Sequence, residues 1–235
     1  MIEAIILAGG FGKRLRPVVK DVPKPMAKIN GKPFLEWQMR YWLKKGINRF
    51  ILAVGYKYQA IESYFGNQFE EAEISYSVED KPLGTGGGVL LAKKKIKSNG
   101  PFLILNGDTY FDVDLKSLVD FHLSRECSFT MSLFRTLEKG RYDMVEITDD
   151  GQVLSLKSQA GTGLANGGVS LASSDAFDGM EETSPGLVSL EKDLLTSIIR
   201  KKAGKVYGVL SGGDFIDIGI PEDFQRAKNM IPARL

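Results

Sequence analysis

Short apolar runs alternate with segments of helical periodicity along the first half of the chain. Continuous apolar runs of this kind are typical of strands that are buried on both faces of a sheet. They predict strands at 4–7, 50–54, 74–78, 102–105 and 128–134. Apolar residues three and four positions apart, such as Leu35, Met39 and Trp42 ahead of Gly46, predict a helix. Further helices are predicted at 59–65, from just after Gly84-Thr85-Gly86 to about Lys95, and at 115–125.

The second half of the chain has a less regular pattern. Strands at 144–147 and 153–156 flank Asp149-Asp150-Gly151, which is typical of a hairpin. A glycine-rich stretch at 161–168 precedes a predicted helix at 190–202, strands at 206–210 and 215–218, and a last helix near Pro221. The alternation predicts an α/β fold, with a Rossmann-like, mostly parallel sheet flanked by helices and a mixed β half. We predict a single domain over 1–235, divided at about 125/126.

Composition narrows the class of protein. Hydrophobic residues make up 43% of the chain, which is enough for a sizeable core, and the net charge is only +2. A nearly balanced surface argues against nucleic acid as the main partner. The apolar run after Glu3 is too short for a signal peptide, and no stretch approaches the length of a membrane span. We therefore expect a cytoplasmic protein with no membrane partner.

The single cysteine and the single histidine offer little chemistry. Cys127 has no partner for an internal disulfide, and we interpret it as a buried small hydrophobe. His122 lies on the predicted helix 115–125, and we interpret it as structural or exposed. Together they exclude a zinc site built from cysteine and histidine.

Glycines and basic residues follow the first predicted strand directly, in the stretch LAGGFGKRLRP at 7–17. Ligands bind at the carboxyl ends of strands in open α/β sheets, and glycines there let backbone N–H groups approach an anion. The basic side chains of this stretch add positive charge, so a phosphate site is indicated. A P-loop is excluded because Arg14 follows Gly12-Lys13, and a dinucleotide fingerprint is excluded because Leu15 stands where it needs glycine.

A series of motifs resembles those of the sugar-1-phosphate nucleotidyltransferases, also called NDP-sugar pyrophosphorylases. In order these are LAGGFGKRLRP, VPKPM at 22–26, GKP at 31–33, LGTGGGV at 83–89, NGD at 106–108, NGG at 166–168 and FIDIGIPEDF at 215–224. The resemblance covers nearly the whole chain and implies the nucleotide-diphospho-sugar transferase fold. It also implies the reaction of a nucleoside triphosphate with a sugar 1-phosphate, which gives an NDP-sugar and pyrophosphate with Mg²⁺. The half at about 1–125 would bind the nucleotide, and the half at about 126–235 the sugar phosphate.

The resemblance also implies roles for individual residues. Arg14 would contact the nucleotide phosphates, Lys24 would lie near the α-phosphate, and Lys157 would hold the sugar phosphate, although Leu156 replaces the glutamate that usually precedes this lysine. With Asp108, these three form the expected catalytic set. The expected nucleotide-binding residues are Leu7, Ala8, Gly9, Gly10, Gly12, Lys13, Arg14, Lys24, Glu79, Gly84, Thr85, Asn106 and Asp108. The expected sugar-phosphate-binding residues are Lys157, Asn166, Gly168 and Glu191.

Two aspartates suit the metal. Asp108 ends an apolar strand, and Asp217 lies inside an otherwise apolar stretch where a lone buried carboxylate would be costly. A shared Mg²⁺, which prefers hard oxygen ligands, would explain both. Asp112 and Asp114 follow soon after, and for them we expect loop and helix-capping roles.

Glu79 occupies the position that reads the base in the family, and Gly84 the position whose backbone also contacts it. An ionised carboxylate only accepts hydrogen bonds, and guanine presents N1–H and N2–H₂ side by side. Uracil and thymine present one N3–H between two acceptors, and adenine has no donor at N1. Glu79 therefore favours GTP.

Guanine implies a manno-configured sugar phosphate. GIPEDF, with Ile220, and SLEKDLL at 189–195 are similar to the branch of the family that acts on D-glycero-α-D-manno-heptose 1-phosphate for bacterial surface glycans. Alternatives are mannose 1-phosphate with GTP, an amino-sugar 1-phosphate with UTP, or a non-catalytic nucleotide-sensing subunit. Members of the family commonly assemble, so a homo-oligomer is possible.

Overall fold

The structure is a computed structural model, and it describes residues 2–10, 15, 22–157, 162–180, 186–201 and 205–231. The strands are β1 (Ala4–Leu7), β2 (Lys28–Ile29), β3 (Lys32–Pro33), β4 (Arg49–Val54), β5 (Gln68–Phe69), β6 (Ala72–Val78), β7 (Phe102–Asn106), β8 (Thr109–Phe111), β9 (Phe129–Thr136), β10 (Met144–Ile147), β11 (Val153–Lys157), β12 (Gly163–Ala172), β13 (Val206–Leu210) and β14 (Phe215–Asp217). The helices are α1 (Phe34–Lys44), α2 (Gln59–Phe65), α3 (Gly84–Lys93), α4 (Leu115–Ser124), α5 (Thr196–Lys201) and α6 (Pro221–Met230).

Ten strands form one central sheet. Its main path runs β11-β10-β12-β7-β1-β4-β6-β5, and β9 and β13 join it through β12. β7, β1, β4 and β6 are mutually parallel, as predicted for the first half. The chain moves from β1 to β4 and β6 on one side, then returns to place β7 on the other side of β1. This reversal is a topological switch point, and it opens a crevice at the carboxyl ends of β1 and β7.

The two faces of the parallel strands pack against different helices. Ile6 belongs to a buried cluster with Phe34 and Trp42 of α1, whereas Ile5 belongs to a cluster with Val89 of α3 and Leu194. This alternation follows from the period of two in a strand. Helices on both faces explain why the strands read as continuous apolar runs, and the α/β fold is confirmed.

A small second sheet brings the end of the chain to the crevice. β14 pairs with β8 in antiparallel register, with Asp217 opposite Thr109. Ile218 N donates to Asp108 O at 3.0 Å just beyond this ladder. The pairing therefore delivers the FIDIG stretch to the residues that follow β7.

The mixed half differs in two places from the predicted pattern. From Gly163 onward the glycine-rich stretch is part of β12, which pairs with β7 and β9 and was not predicted as a strand. Its register shifts between Asn166 and Ser170, where Gly168 has a φ of +74°, so glycine serves a bulge. The predicted helix at 190–202 is a π-helical turn over Leu190–Leu195 followed by α5.

The residues that we assigned to structural roles occupy them. Cys127 is buried, and Asp114 caps α4 by accepting from Ser117 N at 3.1 Å. His122 is buried, with Nδ1 2.9 Å from Thr130 Oγ1, and burial lowers the pKa of its ring to about 4. No helix in the described part of the chain is long and apolar enough to cross a membrane.

Candidate active site

A cavity of about 460 Å³ lies at the switch point. The carboxyl ends of β1 and β7 form its floor, and the start of α3 and the segment after residue 186 form its walls. The predicted site residues that line it are Leu7, Ala8, Gly9, Gly10, Lys24, Glu79, Gly84, Thr85, Asn106, Asp108 and Glu191. The structure thus brings most of the predicted nucleotide site and one predicted sugar residue into one space.

Lys24 and Asp108 line this cavity, and Asp217, which is not among its lining residues, contacts the same lysine. Lys24 Nζ donates to Asp108 Oδ2 at 2.5 Å and to Asp217 Oδ1 at 3.3 Å. The lysine side chain is almost fully buried, and it is presented by a 3-10 turn over Lys24–Met26. An ammonium group therefore lies between the two carboxylates that we predicted to share a cation. Asp108 is the more exposed of the pair, with 37% of its side chain accessible, so it faces the cavity.

The turn that carries Asp108 is held by backbone contacts and by Gln38 of α1. Gln38 Nε2 donates to Asn106 O at 2.7 Å and to Thr109 O at 2.9 Å, on either side of the aspartate. Gly107 permits the turn, because a Cβ there would lie 2.5 Å from Leu7 O. Sequence reasoning missed Gln38. Its signal was a polar residue three positions after Leu35, on the apolar face of the helix.

Asp217 has two further partners besides Lys24. Its Oδ1 accepts from Gly219 N at 2.7 Å, and Arg141 Nη2 lies 3.3 Å from Asp217 O and 3.7 Å from Oδ2. Burial opposes the charge of Arg141, but hydrogen bonds to Asp223 and Glu138 raise the pKa of its guanidinium. Arg141 is therefore a permanent positive charge behind the aspartate, and sequence reasoning did not single it out.

Glu79 also lines this cavity, and its carboxylate lies in a recess that glycines border. A Cβ on Gly88 would lie 2.8 Å from Glu79 Oε1, and one on Gly9 would lie 3.4 Å from the same atom. The second oxygen, Oε2, accepts from Leu83 N at 3.1 Å. Burial raises the pKa of Glu79, and the bond from Leu83 partly offsets that shift. The recess holds a carboxylate with a fixed orientation.

Glu191 lines the same cavity from the start of the π-helical turn. Ser189 Oγ lies 3.5 Å from Glu191 Oε2. Burial raises the pKa of Glu191, and the negative charge of Asp143 adds to the shift. Two carboxylates with raised pKa values, those of Glu79 and Glu191, thus line the same cavity as Lys24 and Asp108.

The other predicted sugar-side residues lie outside the lining of this cavity. Lys157 Nζ pairs with Glu146 Oε2 at 2.9 Å, and 57% of the lysine side chain is exposed. Asn166 Oδ1 accepts from Gly168 N at 3.1 Å, which stabilises the bulge in β12. Gly168 packs behind the lining, since a Cβ there would lie 2.7 Å from Asn106 Nδ2.

Three predicted residues, Gly12, Lys13 and Arg14, lie outside the described residues. Within the described ranges, no cluster of three or more His, Cys, Asp or Glu side chains could hold a metal ion. A metal at this site would therefore rest on two protein carboxylates, with its remaining positions filled by water and substrate oxygens. Mg²⁺ commonly binds in this way.

Comparisons with known proteins identify the family of this chain. The family described as Nucleotidyl transferase matches residues 3–233. The chain is 43% identical over 229 residues to D-glycero-alpha-D-manno-heptose 1-phosphate guanylyltransferase of Aneurinibacillus thermoaerophilus, covering 97% of each chain. It is 39% identical over 225 residues to the protein of the same name from Campylobacter jejuni, covering 95% of this chain and 97% of that one.

Among solved structures, HddC from Yersinia pseudotuberculosis, complexed with GMP-PN, superposes with a TM-score of 0.81. It is 35% identical and covers 97% of this chain and 99% of its own. These matches extend over nearly the whole chain and confirm the resemblance drawn from the motifs. The chain belongs to the nucleotidyl transferase family.

Proposed function

We propose that this enzyme transfers a guanylyl group from GTP to D-glycero-α-D-manno-heptose 1-phosphate and releases pyrophosphate. The observation that carries the proposal is one cavity lined by Glu79, whose carboxylate lies in a glycine-lined recess, and by Lys24 and Asp108, with Asp217 hydrogen-bonded to the same lysine. The names of the two relatives and the guanine nucleotide in the HddC structure support the choice of substrates.

Glu79 would read the base. An ionised carboxylate can accept from N1–H and N2–H₂ of guanine together, and it cannot donate to the carbonyl oxygens of uracil. Oε2 is already oriented by Leu83 N, so the carboxylate loses little freedom when the base binds. Gly9 and Gly88 leave room for the carboxylate itself, because a side chain at either position would crowd Oε1.

Asp108 and Asp217 would hold Mg²⁺. Both are hard oxygen donors, and both already face one cationic group, the ammonium of Lys24. When bound, the ion supplies neutralisation of the negative charge on the nucleotide phosphates. Asp108, the more exposed of the two, would lie nearer the phosphates. Asp217 is held in place by Arg141 and by Gly219 N.

The protein's own task in the transfer is to bring two anions together and to neutralise charge. An oxygen of the sugar phosphate attacks the α-phosphorus in line, a new P–O bond forms, and pyrophosphate leaves with the electron pair of the broken bond. Lys24 would turn from the carboxylates to the α-phosphate and stabilise charge there. Arg14 and Lys157 remain predictions for the phosphates of the nucleotide and of the sugar, and Lys157 would first have to leave Glu146.

Pyrophosphate release tests the proposal directly. GTP, UTP, CTP, ATP and dTTP are crossed with heptose, mannose, glucose and amino-sugar 1-phosphates in the presence of Mg²⁺, with Asp108→Asn as the inactive control. We expect release with GTP and the manno-heptose phosphate. Release with UTP and an amino-sugar phosphate would keep nucleotidyl transfer but overturn the role of Glu79. If no pair of substrates releases pyrophosphate, a regulatory subunit that does not catalyse would be favoured.

A further inference from the structure

Residues 83–88, where α3 begins, are hydrogen-bonded to a segment about one hundred residues later in the chain. Val188 N donates to Leu83 O at 2.8 Å, and Gly86 N donates back to Val188 O at 2.8 Å. Leu190 N donates to Thr85 Oγ1 at 2.9 Å. We call residues 187–190 the docking segment. Its hydrogen bonds join the nucleotide half of the chain to the sugar-phosphate half.

Two glycines at the start of α3 are required because the docking segment packs directly against them. Gly84 has a φ of +81°, and a Cβ there would lie 2.4 Å from Val188 O. A Cβ on Gly86 would lie 2.9 Å from the carbonyl carbon of Ser189. Real Cβ atoms do not approach backbone so closely, so these two positions need glycine for the close approach of two main chains. Val188 O also accepts the hydrogen bond of Gly86 N in the first turn of α3. This N–H group is therefore not available to a phosphate.

The docking segment carries two residues into the cavity. Leu187 is part of the segment, and Glu191 follows it directly; both line the cavity beside the Asp108 cluster. Leu83, which accepts from Val188 N of the docking segment, also donates its N–H to Oε2 of Glu79, the proposed base reader. A continuous set of hydrogen bonds thus connects the carboxylate on the base side with the carboxylate on the sugar side.

We propose that Thr85 is a positioning residue for the sugar phosphate rather than a ligand of the nucleotide. Its hydroxyl accepts from Leu190 N and so fixes the backbone of Glu191, the next residue, at the cavity wall. The inference rests on the proposed function and on the sugar-side role that the family resemblance implies for Glu191. It assigns to Thr85 a task different from the one that the motif implies, because the hydroxyl is engaged by the docking segment.

The test replaces the hydroxyl and follows the two substrates separately. Thr85 is exposed, so the fold should tolerate both Thr85→Val, which removes the acceptor, and Thr85→Ser, which restores it. Thr85→Val should raise the KM for the sugar phosphate roughly 3- to 10-fold, the range for one lost neutral hydrogen bond. The Kd of GTP, measured by calorimetry without the sugar, should change less than about twofold, and Thr85→Ser should behave like the wild type.

A double-mutant comparison identifies the route of the effect. In a Glu191→Gln background the further loss from Thr85→Val should shrink, because both changes act through the same side chain. Weaker GTP binding with an unchanged KM for the sugar phosphate would overturn the proposal, and so would an equal loss in both backgrounds. Wild-type turnover with each sugar phosphate is measured first. Failure of the heptose assignment then appears in that measurement, and the Thr85 comparison proceeds with whichever sugar phosphate reacts.

If no sugar phosphate reacts, amide hydrogen exchange over 186–195 replaces the kinetic readout. Thr85→Val should then speed exchange at Leu190, and unchanged exchange would refute the positioning contact. This measurement needs no turnover, so the positioning role and the proposed function can fail separately.

Discussion

Gly88→Ala should weaken the preference for GTP without weakening the fold. Gly88 is a buried residue within α3, and a Cβ on it would lie 2.8 Å from Glu79 Oε1 and 3.8 Å from Leu7 Cδ2. The near contact is the end of a flexible side chain, so the carboxylate can move aside while the helix stays in place. The added methyl group therefore acts on the orientation of Glu79 alone.

The substitution should affect the free energy of unfolding and the kcat/KM for GTP in opposite directions. Alanine within a helix is about 1 kcal/mol more favourable than glycine, so the free energy of unfolding should stay constant or rise. A hydrogen bond to a charged group contributes about 1.5–3 kcal/mol. Loss of one such bond to guanine corresponds to a fall of about 10- to 150-fold in kcat/KM for GTP, since about 1.4 kcal/mol is tenfold. The value for UTP should change much less, because Glu79 offers uracil no matched pair.

The assay compares pyrophosphate release with GTP and with UTP for the wild type, Gly88→Ala and Gly100→Ala. Gly100 is a fair control because a Cβ there meets nothing within 4 Å. Thermal unfolding of the same three proteins reports on the fold. An unchanged GTP:UTP ratio together with a wild-type melting temperature would refute the reasoning, since the carboxylate would then have moved without any effect on base choice.

Three further predictions concern the metal carboxylates and the base reader. Asp108→Asn and Asp217→Asn should each lower turnover at least about 100-fold with circular dichroism unchanged, because each removes one charge from the proposed metal site; near-normal rates would contradict that site. Gln38→Met should raise the Mg²⁺ concentration for half-maximal activity about 3- to 10-fold and weaken Mn²⁺ binding in a spin-resonance titration. Tyr41→Phe, which loses hydrogen bonds from the same helix to the Asp112–Val113 loop, should do neither. The GTP:UTP ratio should fall as the pH is lowered through the raised pKa of Glu79, because only the ionised carboxylate accepts both donors, and Glu79→Gln should abolish this pH dependence.

The sequence predicted the parts of the site that local pattern determines. The apolar run of β7 ends at Asn106, and the turn after it places Asp108 at the carboxyl end of the strand, as expected. The glycines after β1 lie at the same edge because adjacent parallel strands share their direction. Glu79 was found only through the family resemblance, since nothing in its neighbours distinguishes a base reader from a loop carboxylate.

Contacts between distant parts of the chain could not be predicted in this way. Gln38 lies 68 residues before Asn106, and Arg141 lies 76 residues before Asp217. Helical periodicity shows only that Gln38 is on the apolar face, and no local rule identifies the carbonyls that it meets. The contact between Gly84 and the backbone of Val188 was likewise not predictable, because Val188 comes from the other half of the chain.

The charges around Lys24 explain how one residue can serve both a resting site and a loaded site. The lysine carries one positive charge against two carboxylates, so the three side chains together remain negative. Such a cluster attracts a divalent cation and repels a bare triphosphate, so metal and nucleotide should bind together. If Lys24 leaves, Asp217 keeps Gly219 and Arg141 as partners and Asp108 faces the open cavity. In the proposed reaction the ammonium would hold the carboxylates together before a metal binds, and with the metal bound it would be free to meet the phosphate on which it is proposed to act.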